Sequence, residues 1–181
     1  VDNFLVHLFI RMGFYSGMLY AVPQLNLQLK FGDDDIKTAK PDFVIMDILT
    51  FLRMAVFEEK NVKESQDKNA EAQLIAEVIA AHQINTEKFE RPLKARRTEI
   101  TDSAAATTED FCAPQTIFAV RVAGYHFTFY EVKVTESIIM AMQTKMSAMS
   151  TTIIKRYGGD RGLNFHNSGD REMIITILDC W

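Results

Sequence analysis

Residues 41–60 read PDFVIMDILTFLRMAVFEEK. The two halves, PDFVIMDI and FLRMAVFEEK, are nearly continuous apolar runs, the pattern of strands covered on both faces. The first opens on Asp42 and the second closes on Glu58-Glu59-Lys60. Strand ends in water would account for a charge at each point. A second account is that the two ends meet, because the start of one strand of an antiparallel pair lies beside the end of the other. The side-chain period of two then sets Glu58 and Lys60 on one face and Glu59 on the opposite one.

On the N-terminal side, Phe4, Leu5, Leu8, Phe9 and Met12 recur at helical spacing, predicting a helix up to about Gly13. After Pro23, Leu25, Leu27, Leu29 and Phe31 alternate with polar residues, the period of a strand with one buried face, and FGDDD turns the chain. This strand and the two apolar runs are expected to make a three-strand meander. On the C-terminal side, AEAQLIAEVIAAHQ carries Leu74, Ile75, Val78 and Ile79 as an apolar stripe on an Ala-rich helix. Residues 85–114, ending in TDSAAATTEDFCAP, show no sustained period and are read as a long excursion.

TIFAVRVAGYHFTFYEVKVT then divides at Ala123-Gly124 into two strand-like runs, a hairpin signal. TESIIMAMQTKMSAM predicts a helix whose methionines fill core, and TTIIKRY a short strand. EMIITILDCW fits either a strand or a helix. No internal repeat breaks the chain, so its 181 residues are expected to form one domain over 1–181.

The composition, 48% hydrophobic and 24% charged, is that of a water-soluble globular protein, and no apolar run approaches the roughly 20 residues that span a bilayer. No membrane partner is expected. Cys112 and Cys180 form neither a disulfide framework nor a CxxC spacing, and VDNFLVHLFIRMGF lacks the plan of a signal peptide. An intracellular setting, cytoplasmic or nuclear, is the expectation. A net charge of −4 argues against a global field that attracts nucleic acid, so any phosphate contact must be local. The local candidate is Arg91, Lys94, Arg96 and Arg97 in FERPLKARR, though short basic clusters are more often solvated surface.

Two carboxylates converging on one spot repel unless a cation or a proton lies between them. Oxygen-only ligands suit Mg²⁺ or Mn²⁺, and Mg²⁺ needs only one or two protein carboxylates. A cation so held polarises a phosphoryl oxygen, and a nearby ammonium orients the attacking water. Asp42, Glu58 and Lys60 in this order therefore point to phosphodiester hydrolysis in DNA or RNA.

Pro41-Asp42 followed by Glu58-Glu59-Lys60 resembles the signature of the PD-(D/E)XK nuclease superfamily. KPDFVIMD, the acid-x-lysine, AEAQLIAEVIAAHQIN and FTFYEVKVTESI are also similar to a group of basidiomycete fungal proteins with this nuclease-like core, over about residues 25–140. The resemblance implies an α/β (α+β) fold, a restriction-endonuclease-like mixed central sheet flanked by helices in the core order αβββαβ. It makes Asp42 and Glu58 ligands of Mg²⁺ or Mn²⁺, Lys60 the catalytic residue that positions water, and Gln73, with Glu77 one turn later, the polar group that orients water or phosphate. Many superfamily members also carry an acid on the first helix, where this chain offers only Asp2. A fold that keeps this core but has lost cleavage, acting as a binding, effector or defence protein, is the competing expectation.

Other chemistries lack their patterns. His7, His82, His126 and His166 show no HExxH spacing, no GxSxG elbow is present, and YGGDRG lacks the lysine and hydroxyl of a phosphate loop. Tyr125, His126, Phe127, Phe129 and Tyr130 could stack on bases if exposed, but an aromatic strand is usually core. An open sheet edge could pair two copies as a homodimer.

Overall fold

The computed structural model describes residues 3–15, 17–32, 35–47, 49, 53–60, 68–99, 116–144 and 154–180. Both apolar runs of residues 41–60 are strands, β4 (Phe43–Asp47) and β5 (Arg53–Lys60), paired antiparallel with Phe43 opposite Phe57 and Val44 opposite Val56. Their continuous apolar character follows from burial on both sides. Phe43, Ile45, Ala55 and Phe57 join one core cluster, and Val44 and Val56 join a second on the other face.

The first cluster is closed by α1 (Asn3–Arg11) and α4 (Ser168–Asp179). Leu5, Leu8 and Phe9 of α1 are buried at the i, i+3, i+4 spacing of one helical face. The Phe9 ring meets Phe57 and Phe43 edge-on at centroid distances of 4.8 and 5.2 Å. The segment read as either strand or helix therefore resolves as helix up to Asp179, with Ile174 and Leu178 as the buried pair one turn apart. Asn167 caps that helix, its side chain accepting from the backbone of Gly169 and Asp170.

The second cluster lies under α2 (Lys68–Glu99), whose Leu74, Val78 and Ala81 face the sheet. The chain passes from β5 through α2 to β6 (Thr116–Ala123), which pairs parallel to β5 with Ala55 beside Phe118 and Glu58 beside Arg121. A helical crossover is the usual way to join parallel neighbours. β7 (His126–Lys133) returns antiparallel, and Gly124 at φ 62 supplies the left-handed residue of the tight turn. Beyond it, β8 (Ile154–Tyr157) and β9 (Leu163–Asn164) both pair with β7. The sheet runs β1-β4-β5-β6-β7-β8, with β9 also on β7. Among the described residues the fold is mixed α/β, a mixed sheet with four helices.

The meander has a different first strand from the one expected. Its third member is β1 (Leu19–Pro23), on the edge of the sheet beside β4. Edge placement leaves Ala21 as the buried residue of β1 and tolerates Pro23, so no alternation announces it. The alternating leucines instead form β2 (Leu27–Phe31), which pairs with β3 (Asp35–Ala39) in a separate two-stranded ribbon. Leu27 and Leu29 pack into the second cluster with α2.

The excursion expected over 85–114 begins later than the sequence implies, because α2 continues to Glu99. Polar side chains hold this part of the helix against β2. Gln83 exchanges two hydrogen bonds with the backbone of Lys30, and Glu87 ion-pairs with its ammonium. An apolar periodicity carries no trace of such contacts. Residues 100–115, including Cys112, lie outside the described residues.

A second correction concerns α3 (Glu136–Thr144), which has no buried residue; Met140 is exposed and Met142 only edges the second cluster. Its methionines are not core filler. The aromatic strand is core as expected, with Phe127, Phe129 and Tyr130 buried. The glycines of YGGDRG are structural. A Cβ on Gly158 or Gly162 would stand 3.0 or 2.9 Å from the carbonyl oxygen of Phe127, so their lack of a side chain lets the loop pass close to β7.

Candidate active site

Glu58 stands near the end of β5 on the face that carries Val56, beneath α2. It is 3% exposed. The β4–β5 pairing ends at Phe43 opposite Phe57, and Asp42 and Glu58 are the next residues along the two strands' directions, Asp42 lying in a bend just before β4. The backbone of Asp42 is fixed from the other side, since its carbonyl accepts from the Gln24 amide at 2.9 Å.

α2 places Gln73 over this point. Gln73 Nε2 donates to Glu58 Oε1 at 2.7 Å and to Glu77 Oε1 at 3.0 Å. The one-turn spacing of Gln73 and Glu77 makes both contacts possible from one amide. Glu77 is 1% exposed. Two buried acids thus meet at the Gln73 amide on this face.

Lys60 lies two residues beyond Glu58 on β5 and pairs with Ala123; its side chain falls outside the described residues. So does Asp2. Arg91, Lys94, Arg96 and Arg97 belong to the last third of α2, remote in sequence from the Gln73 turn, and their side chains are likewise outside the described residues. The structure therefore brings together Glu58, Gln73 and Glu77, while Asp42 immediately precedes the first paired residue of β4.

Four further residues complete the polar face. Arg121, the register partner of Glu58 on β6, is buried. Tyr130 on β7 donates its hydroxyl to Glu71 Oε1 at 2.7 Å. Glu71 Oε1 also lies 3.6 Å from Arg156 Nη1 and 3.9 Å from Arg121 Nη1. Burial above all, and then the bond to Glu71, hold the Tyr130 phenol far above its ordinary range, so it stays a donor. The sequence carried one signal for this group, an arginine alone inside the apolar run TIFAVRVA. Arg156 and Glu71 gave none.

The donors fit a hard cation in kind, being carboxylate oxygens with no thiol or imidazole among them. Among the described residues no group of three or more His, Cys, Asp or Glu side chains is placed to enclose a metal. The fit is to a cation held by one or two carboxylates and otherwise by water. No helix among the described residues is long and apolar enough to cross a membrane, and Cys180 is exposed and unbridged. No protein-family model, curated protein or solved structure matches this chain.

Proposed function

We propose that this protein is a metal-dependent nuclease that hydrolyses phosphodiester bonds in DNA or RNA. The observation that carries the reading is the hydrogen bond from Gln73 on α2 to Glu58 on β5; that Asp42 directly precedes the Phe43–Phe57 pair, and Glu58 directly follows it, supports Asp42 as the second ligand. Asp42, Glu58 and Gln73 follow one another along the chain at the start of β4, near the end of β5 and near the start of α2, the order that the nuclease resemblance implies. The path α1, β1, β4, β5, α2, β6, with β6 parallel to β5, supports a restriction-endonuclease-like core in the order αβββαβ.

In this reading Asp42 and Glu58 hold Mg²⁺ or Mn²⁺, which when bound supplies electrophilic activation of a phosphoryl oxygen and of water. Gln73 fixes the Glu58 carboxylate and orients the phosphate or water beside it. Lys60 positions the attacking water. The second reading, a binding protein that has lost cleavage, is favoured by the 3% exposure of Glu58, which leaves its carboxylate little access to solvent.

Labelled single- and double-stranded DNA and RNA, incubated with Mg²⁺, Mn²⁺ or chelator, separate the two. Metal-dependent cutting that falls by about a hundredfold or more in Glu58→Gln and Lys60→Ala supports the nuclease. Folded protein that cuts none of the four substrates in either metal sinks it and leaves the binding reading.

A further inference from the structure

Arg121 is a full positive charge placed where charges are costly. Its side chain is 8% exposed, and Nε is buried with no hydrogen-bond partner among the described residues. Its charge contact is Glu71, at 3.9 Å, beyond hydrogen-bond length. A buried guanidinium is normally compensated by close, directional acceptors, and its planar fork matches the oxygens of a carboxylate or phosphate. Among the described residues, Nε has no acceptor and the one carboxylate at the fork stands 3.9 Å away.

The geometry around it is that of an anion site. Arg121, Arg156 and the Tyr130 hydroxyl all converge on one oxygen, Glu71 Oε1, at 3.9, 3.6 and 2.7 Å. Glu71 belongs to the first turn of α2, where the helix dipole also favours negative charge. That side chain is 40% exposed, so it can turn into solvent without opening the core. The site adjoins Glu58, since Arg121 is its partner on the neighbouring strand about 5 Å away.

We propose that Arg121, Arg156 and Tyr130 form a binding site for a phosphate oxyanion of a nucleic-acid chain, and that the Glu71 carboxylate occupies it until substrate displaces it. The phosphate takes the Tyr130 hydroxyl bond and draws both guanidinium groups closer than the carboxylate does. A bound chain is thereby anchored one strand from Glu58. The identity of the carrier rests on the nuclease reading; the oxyanion site does not.

The test is binding of fluorescein-labelled single-stranded DNA and RNA oligonucleotides in chelator, where cleavage is absent, with nucleoside monophosphate and inorganic phosphate as separate probes. Glu71→Gln keeps an acceptor for Tyr130 but removes the competing charge, and is expected to tighten oligonucleotide binding about fivefold or more. Arg156→Gln, at a partly exposed position, is expected to weaken it about tenfold and to lower the salt dependence by about one phosphate contact. Tighter binding of phosphate or monophosphate by Glu71→Gln, with oligonucleotide binding unchanged, upholds the oxyanion site and overturns nucleic acid as its carrier. Folded Glu71→Gln that binds no probe more tightly than the natural protein overturns the proposal. Tighter oligonucleotide binding without metal-dependent cutting leaves the site standing and removes the nuclease.

Discussion

Gln73 reaches across from α2 and donates its amide to the carboxylate of Glu58 at the end of β5, at 2.7 Å. The same nitrogen serves Glu77 at 3.0 Å, so one neutral side chain lies between two buried acids. Gln73→Ala removes a charge-assisted donor from both and is expected to cost about 1–3 kcal/mol. Gln73→Glu does more harm, because it replaces the donor by a third carboxylate. Urea unfolding with and without excess Mg²⁺ checks this. The cation should raise the midpoint of Gln73→Glu more than that of the natural protein, since the added acid strengthens its binding to the folded state. An equal response in both would show that no cation enters between these groups.

Phe57 and Phe9 test the other face of the same strand. Phe57 is wholly buried, and its ring meets Phe9 edge-on at 4.8 Å. Phe57→Ala is expected to destabilise the fold by about 3–5 kcal/mol through the cavity it leaves. Combined with Phe9→Leu, the losses should fall short of additivity by about 0.5–1.5 kcal/mol, the coupling of a packed aromatic pair. Denaturant midpoints of the four proteins measure it. Strict additivity would mean that α1 docks without this contact.

The parts of the fold that were legible share one property: their burial follows the chain's own periodicity. β4, β5, β6 and β7 are covered on both faces and read as apolar runs, and Leu74 and Val78 of α2 recur at helical spacing. β1 was hidden because an edge strand buries little, and the continuation of α2 past residue 85 because contacts that hold the helix to β2 there, those of Gln83 and Glu87, are polar. In the site, Glu58 and Gln73, joined by a hydrogen bond, were readable from their order along the chain. Glu71, Arg121, Tyr130 and Arg156 were not, since they come from four elements and only the sheet order brings them together.

Two glycines of the β8–β9 loop, Gly159 and Gly162, separate backbone strain from crowding. Gly159 has φ +61 with open space where a side chain would go, whereas Gly162 has φ +76 and a Cβ there would stand 2.9 Å from both Phe127 O and Thr128 Oγ1. Gly159→Ala should therefore cost about 1 kcal/mol, the left-handed penalty alone. Gly162→Ala adds a clash with the β7 backbone and should cost distinctly more. Thermal or urea unfolding of the two variants decides it, and equal losses would show that the loop moves away from β7 at no cost.

His82 sets a pH limit on α2. Burial holds its imidazole below the usual value of 6.5, and its Nδ1 is buried with no hydrogen-bond partner among the described residues. Because the folded state disfavours the charged ring, the unfolded chain binds the proton more readily. The neutral ring's contribution is fully present above pH 6.5 and is lost as pH falls from there towards the lowered value in the folded protein. His82→Gln carries no such proton, while the acids elsewhere titrate alike in both proteins. Urea midpoints measured from neutral pH down to about 5 should fall further for the natural protein than for His82→Gln. Parallel falls would mean that the ring gains water or a partner when it charges.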